Sequence, residues 1–220
     1  MNDARDDSPA VSAESSKIGA RWLIPAGILI AWIALISWWT LGFKAFTVYS
    51  YAAKLVGPTP YRAPALEVKD HRGEILTLDQ LKDNHVLVNF VYTSCGTVCP
   101  RTVVKMMRVH KDLEKYIPQR LAMLTVSFDV ERDSAESMGA YWRAHGSPEG
   151  WTMGVFNPPH FIDAATVASA FGEGVQRDRL GRFSHPGLIF HIDPAGKVVQ
   201  FFDSAAESSD VVDGVTRVLQ

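Results

Sequence analysis

With 220 residues, 22 Lys and Arg against 24 Asp and Glu and a net charge of -2, the chain has neither the basic excess that recruits nucleic acid nor an acidic tail. Its 47% hydrophobic content is ordinary for a globular protein, and the length holds one domain of usual size plus extras.

Residues 1–21 are polar and rich in Asp and Ser, a composition that predicts a disordered tail. Trp22 to Phe43 is an uncharged run of 22 residues, about 33 Å long as a helix, against a hydrocarbon core of roughly 30 Å. Trp22 stands at one end and Trp38, Trp39 and Phe43 at the other, as aromatic belts do, so 22–43 is predicted to be a transmembrane helix. A cleaved signal peptide is the competing reading. Its apolar region is shorter, about 7–15 residues, and the nearest small-x-small site, Ser50-Tyr51-Ala52, lies well beyond the run. Lys17 and Arg21 precede the span and Lys44 and Lys54 follow it, so basic residues barely bias its orientation. A short tail inside and a large translocated domain is the simpler arrangement. It implies a single-pass protein of the cell inner membrane facing the periplasm, or the equivalent mitochondrial intermembrane side.

Residues 44–64 form a linker in which Gly57-Pro58-Thr59-Pro60-Tyr61-Arg62-Ala63-Pro64 is a stiff, extended tether. The domain then runs from 65 to 220. Leu66-Glu67-Val68 and Ile75-Leu76-Thr77 flank Asp70-His71-Arg72-Gly73 as a hairpin. Val86 to Tyr92 is an almost continuous apolar run, suited to a central parallel strand covered on both faces. A helix follows Cys99, with Pro100 in its first turn and a stripe of Val103, Met106, His110, Leu113 and Ile117. Leu121 to Phe128 is a second buried strand. Asp133-Ser134-Ala135-Glu136 resembles a capping box for a helix ending at Gly146, and Phe161 to Phe171 reads as a helix stopped by Gly172. The tail gives a His-containing turn, a strand over Gly187 to Ile192, a tight turn at Asp193-Pro194-Ala195-Gly196, a strand over Val198 to Phe202 and a helix from about Ser209. The alternation predicts an α/β domain with a central mixed sheet. A dithiol at the carboxyl end of a central strand, feeding a helix, is the thioredoxin-like layout.

The two cysteines, Cys95 and Cys99, are the only ones in the chain. A thiolate near a helix N-terminus is favoured by the dipole and by unpaired backbone N–H groups. A purely structural disulfide explains them poorly, because so short a loop removes only about 2 kcal/mol of unfolded-chain entropy, against roughly 4.7 for a hundred-residue loop. Redox exchange and soft-metal binding both remain open on these residues alone.

Phe90-Val91-Tyr92-Thr93-Ser94-Cys95-x-x-x-Cys99-Pro100, then Thr125-Val126-Ser127-Phe128-Asp129-Val130-Glu131-Arg132-Asp133, then Phe183-Ser184-His185 and Asp193-Pro194-Ala195-Gly196-Lys197, together resemble the Sco/SenC family. The likeness covers nearly all of 65–220. It implies a membrane-tethered, thioredoxin-like factor for assembly of cytochrome c oxidase, with copper held by Cys95, Cys99 and His185 and passed to the binuclear CuA site of oxidase subunit II or to another cuproenzyme. Two departures stand out: Gly96-Thr97 replaces a common Pro-Asp between the cysteines, and Ser184 replaces a common Asp before the histidine. Both remove a carboxylate that would tune a metal site. Pro186, directly before a strand, resembles the proline that faces the thiols in thioredoxins and favours redox chemistry.

Two thiolates and one imidazole are a soft, low-coordinate set suited to Cu(I), whereas structural zinc wants four ligands. Other candidates have plainer readings. His110 lies about 16 Å along the helix from Cys99 and is a core or partly buried histidine; Met106 and Met107 are core filler. His191 points away from the site or along the sheet, and His71, His85, His145 and His160 are surface histidines. Asp129 sits on the cysteine edge of the sheet in a capping, loop or metal-supporting role, and Glu131 and Arg132 form a solvated surface. The competing functions are a copper metallochaperone and a thiol–disulfide oxidoreductase in which Cys95 attacks and Cys99 resolves. A redox or copper sensor is a third, with no output module in the chain.

Overall fold

The computed structural model describes residues 15–39, 54–157, 164–179 and 181–219. The chain divides into two units, Met1–Thr47 and Val48–Gln220. The described part of the first is one helix, α1 (Ser15–Trp39), which begins inside the stretch read as a polar tail and carries Pro25 within it. Most of its large apolar side chains from Trp22 to Trp38, including Leu23, Ile28, Leu29, Trp32 and Leu35, are exposed. Among the described residues no helix is long and apolar enough to cross a membrane. The last residues of the predicted span, 40–43, lie outside the described ones, as do 1–14 of the tail.

The second unit is built on the apolar run before the cysteines. β4 (His85–Val91) is buried at all seven positions, which is what a strand sandwiched between two layers requires. It pairs in parallel with β5 (Leu121–Ser127), and β5 pairs in parallel with β6 (Trp151–Phe156). On the other side β4 meets β9 (Ile189–Ile192) antiparallel, followed by β10 (Lys197–Phe202) and β1 (Tyr61–Arg62). β2 (Glu67–Asp70) joins β6 antiparallel and makes the expected hairpin with β3 (Ile75–Thr77). The order is β1-β10-β9-β4-β5-β6-β2-β3, a mixed sheet with its parallel strands at the centre. β7 (Gln176–Arg177) and β8 (Phe183–Ser184) form a separate two-stranded ribbon.

Alternate side chains of β4 serve two cores. Leu87 and Val91 pack with Val103, Met106, Met138, Val211 and Val215, contributed by α2 (Val98–Asp112), α3 (Ala135–Ala144) and α5 (Ser208–Leu219). Val86, Val88 and Phe90 pack on the opposite face with Phe171 and Phe190, beside α4 (Ala164–Ala170). Both cysteines belong to the first core.

Several local expectations are corrected. The strand β6 has no counterpart in the pattern reading. Gly154 interrupts its β character, and the reason is close packing: a Cβ there would lie 2.4 Å from Val68 Cγ1 and 2.5 Å from the Lys69 carbonyl. The cap of α3 is Ser134, whose partner is Ser137 rather than Glu136. Asp133 is used elsewhere. α4 covers Ala164–Ala170, and the start of the helix expected from Phe161 lies outside the described residues. β1 falls inside the stretch read as a tether. His85 is not a surface residue: it is buried, with Nδ1 2.9 Å from Nε2 of His191, whose Nδ1 in turn meets the Gln200 amide at 2.7 Å.

Candidate metal centre

The cysteines leave the sheet on a tight turn closed by the Cys95 N–H donating to the Tyr92 carbonyl at 3.1 Å. Asp133 pins this turn to the sheet. It accepts from the Thr93 N–H at 2.9 Å, from the Thr93 hydroxyl, and from the Ser127 hydroxyl at 2.5 Å. α2 starts at Val98, and its cap residue Thr97 makes no side-chain cap bond. The Cys95 sulfur takes that place, accepting from the Cys99 N–H at 3.4 Å. A sulfur at this position faces the positive end of the helix and its otherwise unpaired donors.

The histidine arrives from the far end of the chain. After β8 the backbone crosses the first turn of α2 so closely that a Cβ at Gly187 would lie 2.3 Å from Val98 Cγ1. Gly187 also has φ +71°, so only glycine fits. This brings His185 Nε2 to 3.3 Å from Cys99 Sγ. One donor atom from each of Cys95, Cys99 and His185 lies within 4.8 Å of the others, and all three residues are buried. With metal–ligand bonds of about 2.0–2.3 Å, a three-coordinate ion spaces its donors by roughly 3.5–4 Å, so small shifts of these side chains admit one ion. The cysteines are not bonded to each other.

The other imidazole nitrogen is held by a residue absent from the sequence reading. Glu173, fully buried, accepts from His185 Nδ1 at 2.6 Å, from Gly187 N–H at 2.7 Å and from Leu188 N–H at 3.0 Å. One carboxylate therefore fixes both the loop and the ring, and it presents Nε2 to the sulfurs. The only sequence hint was an acid set between Gly172 and Gly174. The Tyr92 and Phe128 rings stand edge-on to the imidazole, Phe183 packs edge-on against both of them, and the Tyr92 hydroxyl donates to the Phe183 carbonyl at 3.0 Å.

The electrostatics follow from these contacts. Burial resists charge on Cys95, but hydrogen bonds from His185 and Cys99 outweigh it and bring the thiol down to about 5. Cys99 moves the other way, pushed up by its deeper burial. Burial also resists a charged His185, yet its bonds to both sulfurs and to Glu173 raise it to about 11.

The remaining candidates lie away from the site or support it indirectly. His110 is half-buried, 2.8 Å from the Glu149 carbonyl, and Met106 is core while Met107 is exposed. His191 is buried but engaged by His85 and Gln200. His71 stacks on Trp142, His145 meets the Tyr141 carbonyl, and His160 lies outside the described residues. Asp129 is buried in an ion pair with Arg132, and Glu131 pairs with Arg177.

A family model described as SCO1/SenC matches residues 60–220. The chain belongs to the SCO1/SenC family. An SCO2-like protein of Rickettsia conorii is 29% identical over 138 residues, 62% of this chain and 66% of its relative. The structure of Arabidopsis thaliana ScoI with copper bound superposes with a TM-score of 0.62 at 16% identity, covering 72% of this chain and 98% of that one. BsSco, described as having a disulfide switch and as a member of the Sco family of cytochrome c oxidase assembly proteins, gives a TM-score of 0.57 at 17% identity, covering 73% and 95%. At these identities the two structures establish the shared thioredoxin-like fold.

Proposed function

We propose that the chain is a copper metallochaperone that holds Cu(I) on Cys95, Cys99 and His185 and passes it to the CuA site of cytochrome c oxidase, or to another cuproenzyme. The observation that carries this reading is the convergence of two sulfurs and one imidazole nitrogen within 4.8 Å, drawn from positions 86 residues apart. Family membership supports it, and copper is the bound metal in the Arabidopsis relative. Two thiolates and an imidazole match the softness and low coordination of Cu(I). Cys95 is already a thiolate at neutral pH, so binding displaces the Cys99 thiol proton and the Nε2 proton, while Nδ1–H stays donated to Glu173. Three ligands leave room for a thiol of the receiving protein to enter before the first of these leaves. α1 would anchor the domain to the inner membrane with the site on the periplasmic side, a role its exposed apolar surface suits.

Cu(I) titration of the full chain in detergent is predicted to give one ion per molecule and to protect both thiols from alkylation. His185→Ala should retain less than one ion at the same competitor concentration. Equal retention by the two proteins contradicts the assignment.

A second reading rests on the free state and unequal exposure of the thiols, 7% for Cys95 against 1% for Cys99. The Cys95 thiolate would attack a disulfide of a cuproenzyme metal site, breaking that bond and forming a mixed disulfide. Cys99 then attacks Cys95, releasing the client as a dithiol and leaving Cys95–Cys99 oxidised until a thiol reductant returns the two electrons. Exchange of this kind needs no imidazole, so His185→Ala separates the two readings.

A further inference from the structure

We infer that residues 55–61 act as a strap that seats Glu173 and, through it, holds His185 in register with the two sulfurs; this rests on the copper reading above. Glu173 lies between two glycines that both have positive φ, +93° at Gly172 and +61° at Gly174. The space beside each is filled by the strap. A Cβ at Gly172 would lie 2.7 Å from the Cα of Val56, and one at Gly174 would lie 2.7 Å from Leu55 Cδ1. The Tyr61 hydroxyl donates to the Phe171 carbonyl at 2.7 Å, so the same strap also grips the residue before Gly172. Contacts at 171, 172 and 174 bracket the carboxylate on both sides.

From Glu173 the chain of contacts is direct: its side chain takes His185 Nδ1, Gly187 N–H and Leu188 N–H. Only backbone and one carboxylate separate the strap from the imidazole. Glycine gives close approach at the cost of freedom to move, and the strap removes that freedom. Leu55, Val56 and Tyr61 are therefore positioning residues. In sequence they lie near the start of the second unit, more than a hundred residues before the carboxylate they seat.

The test uses the full chain in detergent micelles and two variants. L55A/V56A shortens the packing side chains, and Tyr61→Phe removes one hydroxyl with no other change. Two quantities are read. The first is exchange of the His185 Nδ1 proton with water in the metal-free protein, by NMR with labelled histidine. The second is Cu(I) affinity by competition. Both variants should speed that exchange at least tenfold and weaken Cu(I) about 3- to 30-fold, and Leu55→Met should stay near wild type. A merely stabilising strap would change thermal unfolding and leave the Nδ1 proton protected in the folded state. Unchanged exchange and affinity in both variants overturn the inference. A wild-type chain that takes up no Cu(I), while the variants still speed exchange, overturns the copper reading and leaves the strap standing.

Discussion

His185 and His191 are both buried and stand six positions apart in sequence, yet their surroundings drive them in opposite directions. His185 has a carboxyl group on one nitrogen, itself pushed up by complete burial but held down by the imidazole and two backbone N–H groups, and sulfurs on the other, and is raised to about 11. His191 has a neutral amide on one nitrogen and a neutral imidazole on the other, so burial prevails and brings it down to about 4, with His85 adding to the shift. The two lie toward opposite ends of the sheet, since His85 opens β4 and the cysteines follow its far end, about 20 Å along the strand. The same residue type becomes a candidate ligand where a carboxylate orients it and a core strut where only neutral groups meet it. Both rings are buried, so partner chemistry is what separates them.

Acid gives the largest test of this contrast. The folded state favours neutral His191, so its contribution to stability is complete above pH 6.5 and is lost as pH falls toward 4. A shift from 6.5 to about 4 corresponds to about 3 kcal/mol. Denaturant unfolding of wild type and His191→Gln across that window should show the wild type losing about 3 kcal/mol more than the variant. Parallel pH curves would mean that His191 is not the neutral strut described.

A second test converts one environment into the other. Glu173→Gln gives His185 the kind of neutral neighbour that His191 has. It should lower the imidazole's proton affinity and weaken Cu(I) binding by about 10- to 100-fold, the usual effect of removing a group that orients a metal-bound histidine. An unchanged copper affinity would reduce Glu173 to a loop anchor. The smallest test is a control: Ser134→Ala removes the cap of α3 and should cost about 1 kcal/mol of stability while leaving both histidines and the copper affinity as they are. A change in copper affinity there would show that the site responds to general loosening.

Much of this arrangement was legible in the residues. The run from Val86 to Tyr92 located the central strand because continuous apolarity is what burial on both faces demands. The cysteine and histidine motifs, through the family likeness, named the three donors that the fold gathers. Three parts were not legible. Strand β6 was hidden because Gly154 breaks its run of strand-forming residues, when Gly154 in fact admits β2. Asp133 looked like a cap because Ser134 is one, and its role in holding the cysteine turn depends on a contact 40 residues away. Glu173 and the His85–His191 pair share that difficulty: each rests on partners from separate elements, and local pattern carries no trace of them.

X-ray absorption of the Cu(I)-loaded full chain tests the central claim most directly. Two sulfur neighbours and one nitrogen are expected around copper, with the nitrogen lost in His185→Ala and both sulfurs kept. A spectrum of two sulfurs alone in the wild type, unaltered by that substitution, would contradict the account and leave only the dithiol chemistry.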